Sequence, residues 1–371
     1  MKLSLFFDPV DESLSGMKAE DNSIVDNLSF YGTTNDSWKE FDAAIIGVNE
    51  YRGLGLKNDS NNTFSVREKL YNLRSQFDGL RIIDLGDLRI GGELEDSKDR
   101  LKEVVSQLLD FQVVPIIIGG GQDLLISQYL AYEHKKALIN WTNVDNKIDV
   151  EGELESSKIV KSVLECKPTH LYNYLHLAHQ SYLVNPKVSE LFEKLHFDGL
   201  RLGELKSQIQ EAEPLLRSSD MVTFDFNSVN PSELMYSNCE IPFGLSPQEA
   251  CQLSWYAGLG EQVSSFGVYN YQKEHDEKGL GAGLLATMIW HFIEGLKVRE
   301  VNLDFSSSQY VKYVVPITEQ DGAITFYKNS SSGKWWILVG KDNVIPCSYS
   351  DYELANKGEI PDRWLKASNR S

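Results

Sequence analysis

Cysteine is scarce in this 371-residue chain. Cys166, Cys239, Cys251 and Cys347 are scattered with no pairing signature, which excludes a disulfide framework and leaves buried thiols in a reducing compartment as the expectation. Positive charge is scarce too: 36 Lys+Arg stand against 54 Asp+Glu, a net charge of −18. Such a surface repels phosphate backbones and anionic membranes, and no local basic run offsets it. Long apolar runs are missing as well. Val113 to Ile118 is far short of the roughly 20 residues a membrane span needs. The first ten residues carry one lysine and an early Asp8-Pro9, with no cleavable signal pattern. Repeats and low-complexity linkers are absent. Nucleic-acid binding and a membrane span are thereby excluded, and a cytoplasmic protein is expected. What is present is globular composition, 42% hydrophobic and 24% charged, enough for a large core.

Short apolar runs alternate with amphipathic stretches, the pattern of parallel strands joined by helices. Strands are expected at Ala43 to Val48, Leu80 to Leu85, Val113 to Ile118, Ala137 to Val144, Leu171 to Leu175, Gly199 to Leu202, Met221 to Phe226 and Val263 to Val268. Helices are expected at Val66 to Gln76, Ser97 to Leu109 and, long and apolar, Gly281 to Leu296. A single doubly wound α/β sheet follows. In the tail, Ala323 to Tyr327 and Trp335 to Val339 flank a turn segment, which reads as a β-hairpin, and a helix-like stretch follows from Tyr349 to Lys357.

Three segments place polar side chains directly after a buried strand: Gly119-Gly120-Gly121-Gln122-Asp123, Asn143 to Asp149, and Phe224-Asp225-Phe226-Asn227 through Pro231. Open α/β sheets put their sites at such strand ends. In that order the segments resemble the signatures of the ureohydrolase family of arginase, agmatinase and especially formimidoylglutamase: Gly-Gly-(Asp/Gly)-His, Asp-x-His-x-Asp, and Phe-Asp-x-Asp-x-x-x-Pro. The resemblance takes in Val66-Arg67-Glu68, Asp84-Leu85-Gly86-Asp87, Arg201-Leu202-Gly203-Glu204 and the helix Ala282 to Phe292, and covers residues 40 to 300. It implies a three-layer α/β/α arginase-like fold with a mostly parallel sheet. It also implies two manganese ions whose bridging hydroxide attacks a guanidinium or formimino carbon, and a glutamate that holds the substrate's cationic part. Expected divisions are an N-terminal segment (1–40), the ureohydrolase-like domain (41–300) and a C-terminal extension packed on it (301–371).

Carried over position by position, the pattern fails where the metals would sit. Gln122 and Lys147 replace histidines, Asn227 replaces an aspartate, and only Asp145, Asp149 and Asp225 remain of six ligands. The substrate glutamate falls on Asn270, with Gln272 and Lys273 where Asn-Pro would follow. The family's ligands bring four carboxylates; here three carboxylates and one ammonium leave −2, short of two dications. An ammonium about 4 Å from a dication costs about 8 kcal/mol at an effective dielectric near 20. To ligate, Lys147 would have to give up its proton beside three carboxylates, which favour the charged form. The expectation is that the Lys147 ammonium itself fills the metal position and bonds the three aspartates, with no cofactor bound.

The remaining candidates are weaker. His176 and His179, three apart, could share a helix face as a metal pair, but a hydrogen-bonded or solvent-facing pair is the simpler reading. His291 reads as a core residue and His275 as a solvated loop residue; His134, His170 and His196 lie in no ligand motif. The glycine run lacks phosphate-loop spacing and reads as a tight turn. Trp335 and Trp336 read as hairpin packing before a binding platform. The expectation is a formimidoylglutamase-like chain with a dismantled manganese site and a structural or interactive role, as a homo-oligomer or with a protein partner. Two alternatives stay open. One is an active C–N hydrolase on a linear amidine, with metal at Asp145, Asp149 and Asp225; the other is a small-molecule binder without turnover.

Overall fold

The computed structural model describes residues 3–370 apart from 19, 33–37, 60, 136–137, 196, 237–240 and 318–321. His196 and Cys239 therefore lie outside the described residues. Ten strands form one sheet: β1 (Phe7–Asp8), β2 (Leu28–Phe30), β3 (Ala43–Val48), β4 (Ile82–Leu88), β5 (Val114–Gly119), β6 (Ile139–Val144), β7 (Leu171–His179), β8 (Asp198–Arg201), β9 (Met221–Asp225) and β10 (Ser265–Tyr269). Their order is β1-β4-β3-β5-β10-β9-β6-β7-β8, with β2 also on β4. Every pairing is parallel except that of β1, which runs antiparallel along the edge of β4.

Strand periodicity builds the two cores. Along β3, Ala43 and Ile45 face one side and Ala44 and Ile46 the other, as successive strand residues must. The first face is covered by the helices Asn61–Tyr71, Pro247–Gly258 and Leu280–Val298. The second is covered by Leu94–Asp110, Leu125–Leu130, Ile159–Glu165 and Pro186–Leu195. Buried on both sides, the central strands need no polar alternation, which is why they read as continuous apolar runs. The three-layer α/β/α arginase-like expectation holds. No helix among the described residues is long and apolar enough to cross a membrane.

Residues that carried the resemblance turn out to clamp this scaffold. Arg67, on the first of these helices, is buried and bonds both oxygens of Asp84 at 2.9 and 3.0 Å, and Tyr71 donates to the same carboxylate at 2.8 Å. The charges are paired and hydrogen-bonded, the condition under which burial is tolerated.

The tail holds more than a hairpin. β11 (Tyr310–Ile317), β12 (Gly322–Asn329), β13 (Trp335–Val339) and β14 (Asn343–Cys347) form a four-stranded antiparallel sheet, with the expected hairpin as its central pair. The helix Tyr349–Asn356 starts at a Ser348–Asp351 capping box. Arg217 ties this sheet to the body. Its guanidinium is wholly buried, reaches Glu261 at 3.0 Å, donates to the Trp335 carbonyl at 2.7 Å and lies 4.5 Å over the Trp336 ring. Trp336 also donates to Glu261, and Trp335 stacks on Tyr352. Both tryptophans are packing residues.

Candidate functional site

The polar tips converge because their strands are neighbours. Gln122, Asn270, Asp225 and Asp145 follow or end β5, β10, β9 and β6, four consecutive strands of the ladder. Parallel strands about 4.8 Å apart set the four tips along one carboxyl-end rim. Glycine permits the approach: a Cβ at Gly120 would lie 2.2 Å from the Glu50 carbonyl oxygen, so the Gly119–Gly121 run is a close backbone crossing.

A hydrogen-bonded network spans the rim. The Gln122 side chain donates to Asp149 Oδ2 at 2.6 Å and to the Ser156 carbonyl at 2.9 Å. The backbone N–H of Gln122 donates to Asn270 Oδ1 at 2.9 Å, and the Asn270 side chain also bonds Asp225. Asn270 sits at φ 68°, the left-handed region that asparagine tolerates better than most residues. Asp225 Oδ1 accepts from Asn227 N at 2.8 Å. Asn146, unnoticed in the sequence, donates to the Asn227 carbonyl at 2.6 Å and ties the β6 loop to the β9 loop. Only its position beside Asp145 could have drawn notice.

Burial dominates the electrostatics. Asp145 is 1% exposed, and its Oδ2 meets no donor among the described residues. The Asp149 carboxyl lies within hydrogen-bonding reach, so a shared proton is the arrangement that satisfies both. Desolvation, with Asp225 and Asp149 adding repulsion, pushes Asp145 well above the carboxylate range. Burial likewise raises Asp149, and it raises Asp225 to about 7.

Lys147 does not fill the metal position. The residue is exposed, and its ammonium makes no ion pair within 4 Å among the described residues. The reason is local. Asp145 Oδ1 accepts from Lys147 N at 3.1 Å, an Asx turn that carries the lysine out of the rim, where its ammonium keeps its water. The expected clasp of one ammonium by three carboxylates is corrected to an Asp145–Asp149 pair within proton-sharing reach beside Asp225, all three accepting from amides.

The donor set does not fit two divalent ions. Gln122 spends its amide N–H groups on Asp149 and Ser156, Lys147 is exposed and carries a cation, and Asn227 meets Asp225 through its backbone. Among the described residues no group of three or more His, Cys, Asp or Glu is arranged to hold a metal.

His176 and His179 lie on a strand, not a helix. Three apart on a regular strand they would face opposite ways, but Ala178 takes φ 73° and shifts the register, bringing the rings 5.6 Å apart. His176 is bonded on both nitrogens, by Tyr174 Oη at 2.7 Å and the Asp145 carbonyl at 3.0 Å, and burial lowers it to about 3. It is a structural imidazole. His291 is half-exposed rather than core, 3.5 Å from Glu294; His275 lies 3.3 Å from Glu274. Beside the rim opens a cleft of about 470 Å³ lined by His179, Tyr182, Arg201, Glu204 and Phe243. Gln180, buried at its base, donates to the Phe243 carbonyl and accepts from Tyr182.

A family model described as Arginase family matches residues 56–294. The chain belongs to the arginase family. It is 22% identical over 256 residues to formimidoylglutamase of Clostridium tetani, covering 62% of this chain and 74% of that protein. Formimidoylglutamase of Lysinibacillus sphaericus is 24% identical over 277 residues, 68% of this chain and 84% of that one. Among solved structures, Trypanosoma cruzi formiminoglutamase with Mn2+2 superposes with a TM-score of 0.65 at 21% identity, over 72% of this chain and 97% of its own. Bacillus subtilis formimidoylglutamase gives 0.67 at 17%, over 76% and 94%. The tail sheet lies beyond the matched segment.

Proposed function

We propose that this chain is a formimidoylglutamase-like arginase-fold protein whose dinuclear manganese site is dismantled, and that it acts as a structural or interaction protein, as a homo-oligomer or with a protein partner. The observation that supports this most is the rim network. Gln122 and Asn270 spend their polar atoms on Asp149, Asp225 and each other, where the family pattern calls for a metal-binding histidine and a substrate-binding glutamate. The acidic surface and the tail sheet are the faces left for a partner.

The test is metal analysis of purified protein together with assay on linear amidines. Substoichiometric manganese and no turnover are expected, and two manganese per chain with formamide or urea release would overturn the reading. Restoring Gln122→His, Lys147→His and Asn227→Asp together should raise manganese affinity.

One observation favours a second reading, a C–N hydrolase with a single metal at Asp145, Asp149 and Asp225. Because the Lys147 ammonium is exposed and pairs with none of the three carboxyls, it acts on Asp149 and Asp225 only through space, and Asp145 Oδ2 has no donor among the described residues. One manganese per chain, lost on Asp225→Asn along with activity, would establish it. A binder without turnover would use the His179–Arg201 cleft, and thermal shifts with amidines and amino acids separate it from a scaffold.

A further inference from the structure

On the face of the sheet covered by Leu94–Asp110, Leu125–Leu130 and Ile159–Glu165, a second cleft of about 260 Å³ opens beside Asp123. Asp123 is 1% exposed, and neither carboxylate oxygen has a hydrogen-bond partner among the described residues. A buried polar group without a partner is uncommon and costly. Glycine makes the room: a Cβ on Gly53 or Gly121 would fall 2.1 to 2.3 Å from this carboxyl group. Neither glycine has a positive φ, so both are required for space rather than for backbone freedom. The cleft's cations make their ion pairs elsewhere, and Lys98 acts on Asp123 only through space. Lys98 is held between Glu95 and Glu155, Lys102 is 2.6 Å from Glu133, and Lys158 reaches the Glu153 carbonyl at 3.3 Å. The lining carries four carboxylates against three ammoniums (Glu95, Asp99, Asp123 and Glu155 against Lys98, Lys102 and Lys158), leaving one negative charge. Ile126, Leu130 and Ile159 supply apolar wall.

We propose that this cleft binds a small organic cation, an ammonium or amidinium with a short hydrocarbon stem, whose N–H groups satisfy Asp123. A divalent metal fits less well, since it wants six or more oxygen ligands and Asp123 is the one buried carboxylate of the lining, Asp99 being exposed. The stem fits the apolar wall, and the volume accommodates several groups of water size at about 30 Å³ each. The cleft adjoins the rim network through Gln122–Asp123 and Glu155–Ser156 but shares no lining residue with it.

The test is calorimetric titration of the full chain with n-butylammonium chloride, with potassium chloride and sodium butyrate as controls. Saturable binding of the amine alone is expected, weakened about tenfold or more in Asp123→Asn, as loss of a charged hydrogen-bond acceptor implies. Ile126→Trp, which fills the wall without touching the carboxylate, should weaken it similarly and serves if Asp123→Asn does not fold. No saturable binding, equal affinity in the variants, or the same response to potassium would overturn the proposal. So would a double-mutant cycle in which Lys98→Met cancels the effect of Asp123→Asn on Tm, because Lys98 would then be the partner.

Discussion

Replacing Asp225 with asparagine should stabilise the metal-free protein at alkaline pH and not at acid pH. In the folded chain burial raises this carboxyl from 3.8 to about 7. Below about pH 4 it is protonated in both folded and unfolded chains and contributes no pH-dependent term. As pH rises toward 7 the unfolded chain ionises while the folded one holds its proton, so stability is progressively lost; above 7 the loss is complete. The difference of about 3 pH units, at about 1.4 kcal/mol each, amounts to about 4 kcal/mol. Asparagine removes this penalty. Its carbonyl still accepts from Asn227 N, while the bond with Asn270 is lost at about 1 kcal/mol. The net expectation is a gain of about 3 kcal/mol near pH 8 and a loss of about 1 kcal/mol near pH 4. Urea unfolding of chelator-treated protein at both pH values, followed by circular dichroism, measures it. An asparagine variant less stable than wild type at both would refute the charge argument. A rise in wild-type stability with manganese that the variant lacks would put a metal on the carboxylate and sink the dismantled-site reading.

Lys147→Ala should change unfolding free energy by no more than about 0.5 kcal/mol, because the ammonium is exposed; a loss of several kcal/mol in urea would restore the clasp rejected above. Ala178→Gly should stabilise by about 0.5 to 1 kcal/mol, since alanine at φ 73° is strained, and denaturant midpoints read this directly. Arg217→Met should cost about 3 to 5 kcal/mol, leaving Glu261 without its ion-pair partner and held, among the described residues, only by the Trp336 N–H. Limited proteolysis should then cut the tail sheet first; an unchanged pattern would show that other contacts hold it.

The central strands were legible because burial on both faces makes them unbroken apolar runs, as in Ala43–Val48. The rim was legible for the same reason, since polar residues immediately after such a run must lie at its carboxyl end. Side-chain direction beyond the strand was not. Whether Lys147 turned inward depended on a two-residue Asx turn at Asp145, which charge counting ignores. The histidine pair failed similarly: spacing of three suggested a helix, and only the left-handed Ala178 lets a strand put both rings together. β11 escaped notice because it is half-exposed with a single buried residue, Val315, and so lacks clean alternation. The Asp123 cleft was not legible although Gly121 and Asp123 stood in a noted segment, since it depends also on Gly53 from a separate loop.

The rim side chains stand on the ends of four adjacent parallel strands, and only Asp225, opposite Tyr269, belongs to a residue of the ladder itself. Imidazole can thus give way to amide there without breaking a main-chain bond or opening a void in either helical layer. On the reading proposed above, such architecture would outlast its chemistry, every layer kept while the rim holds itself together.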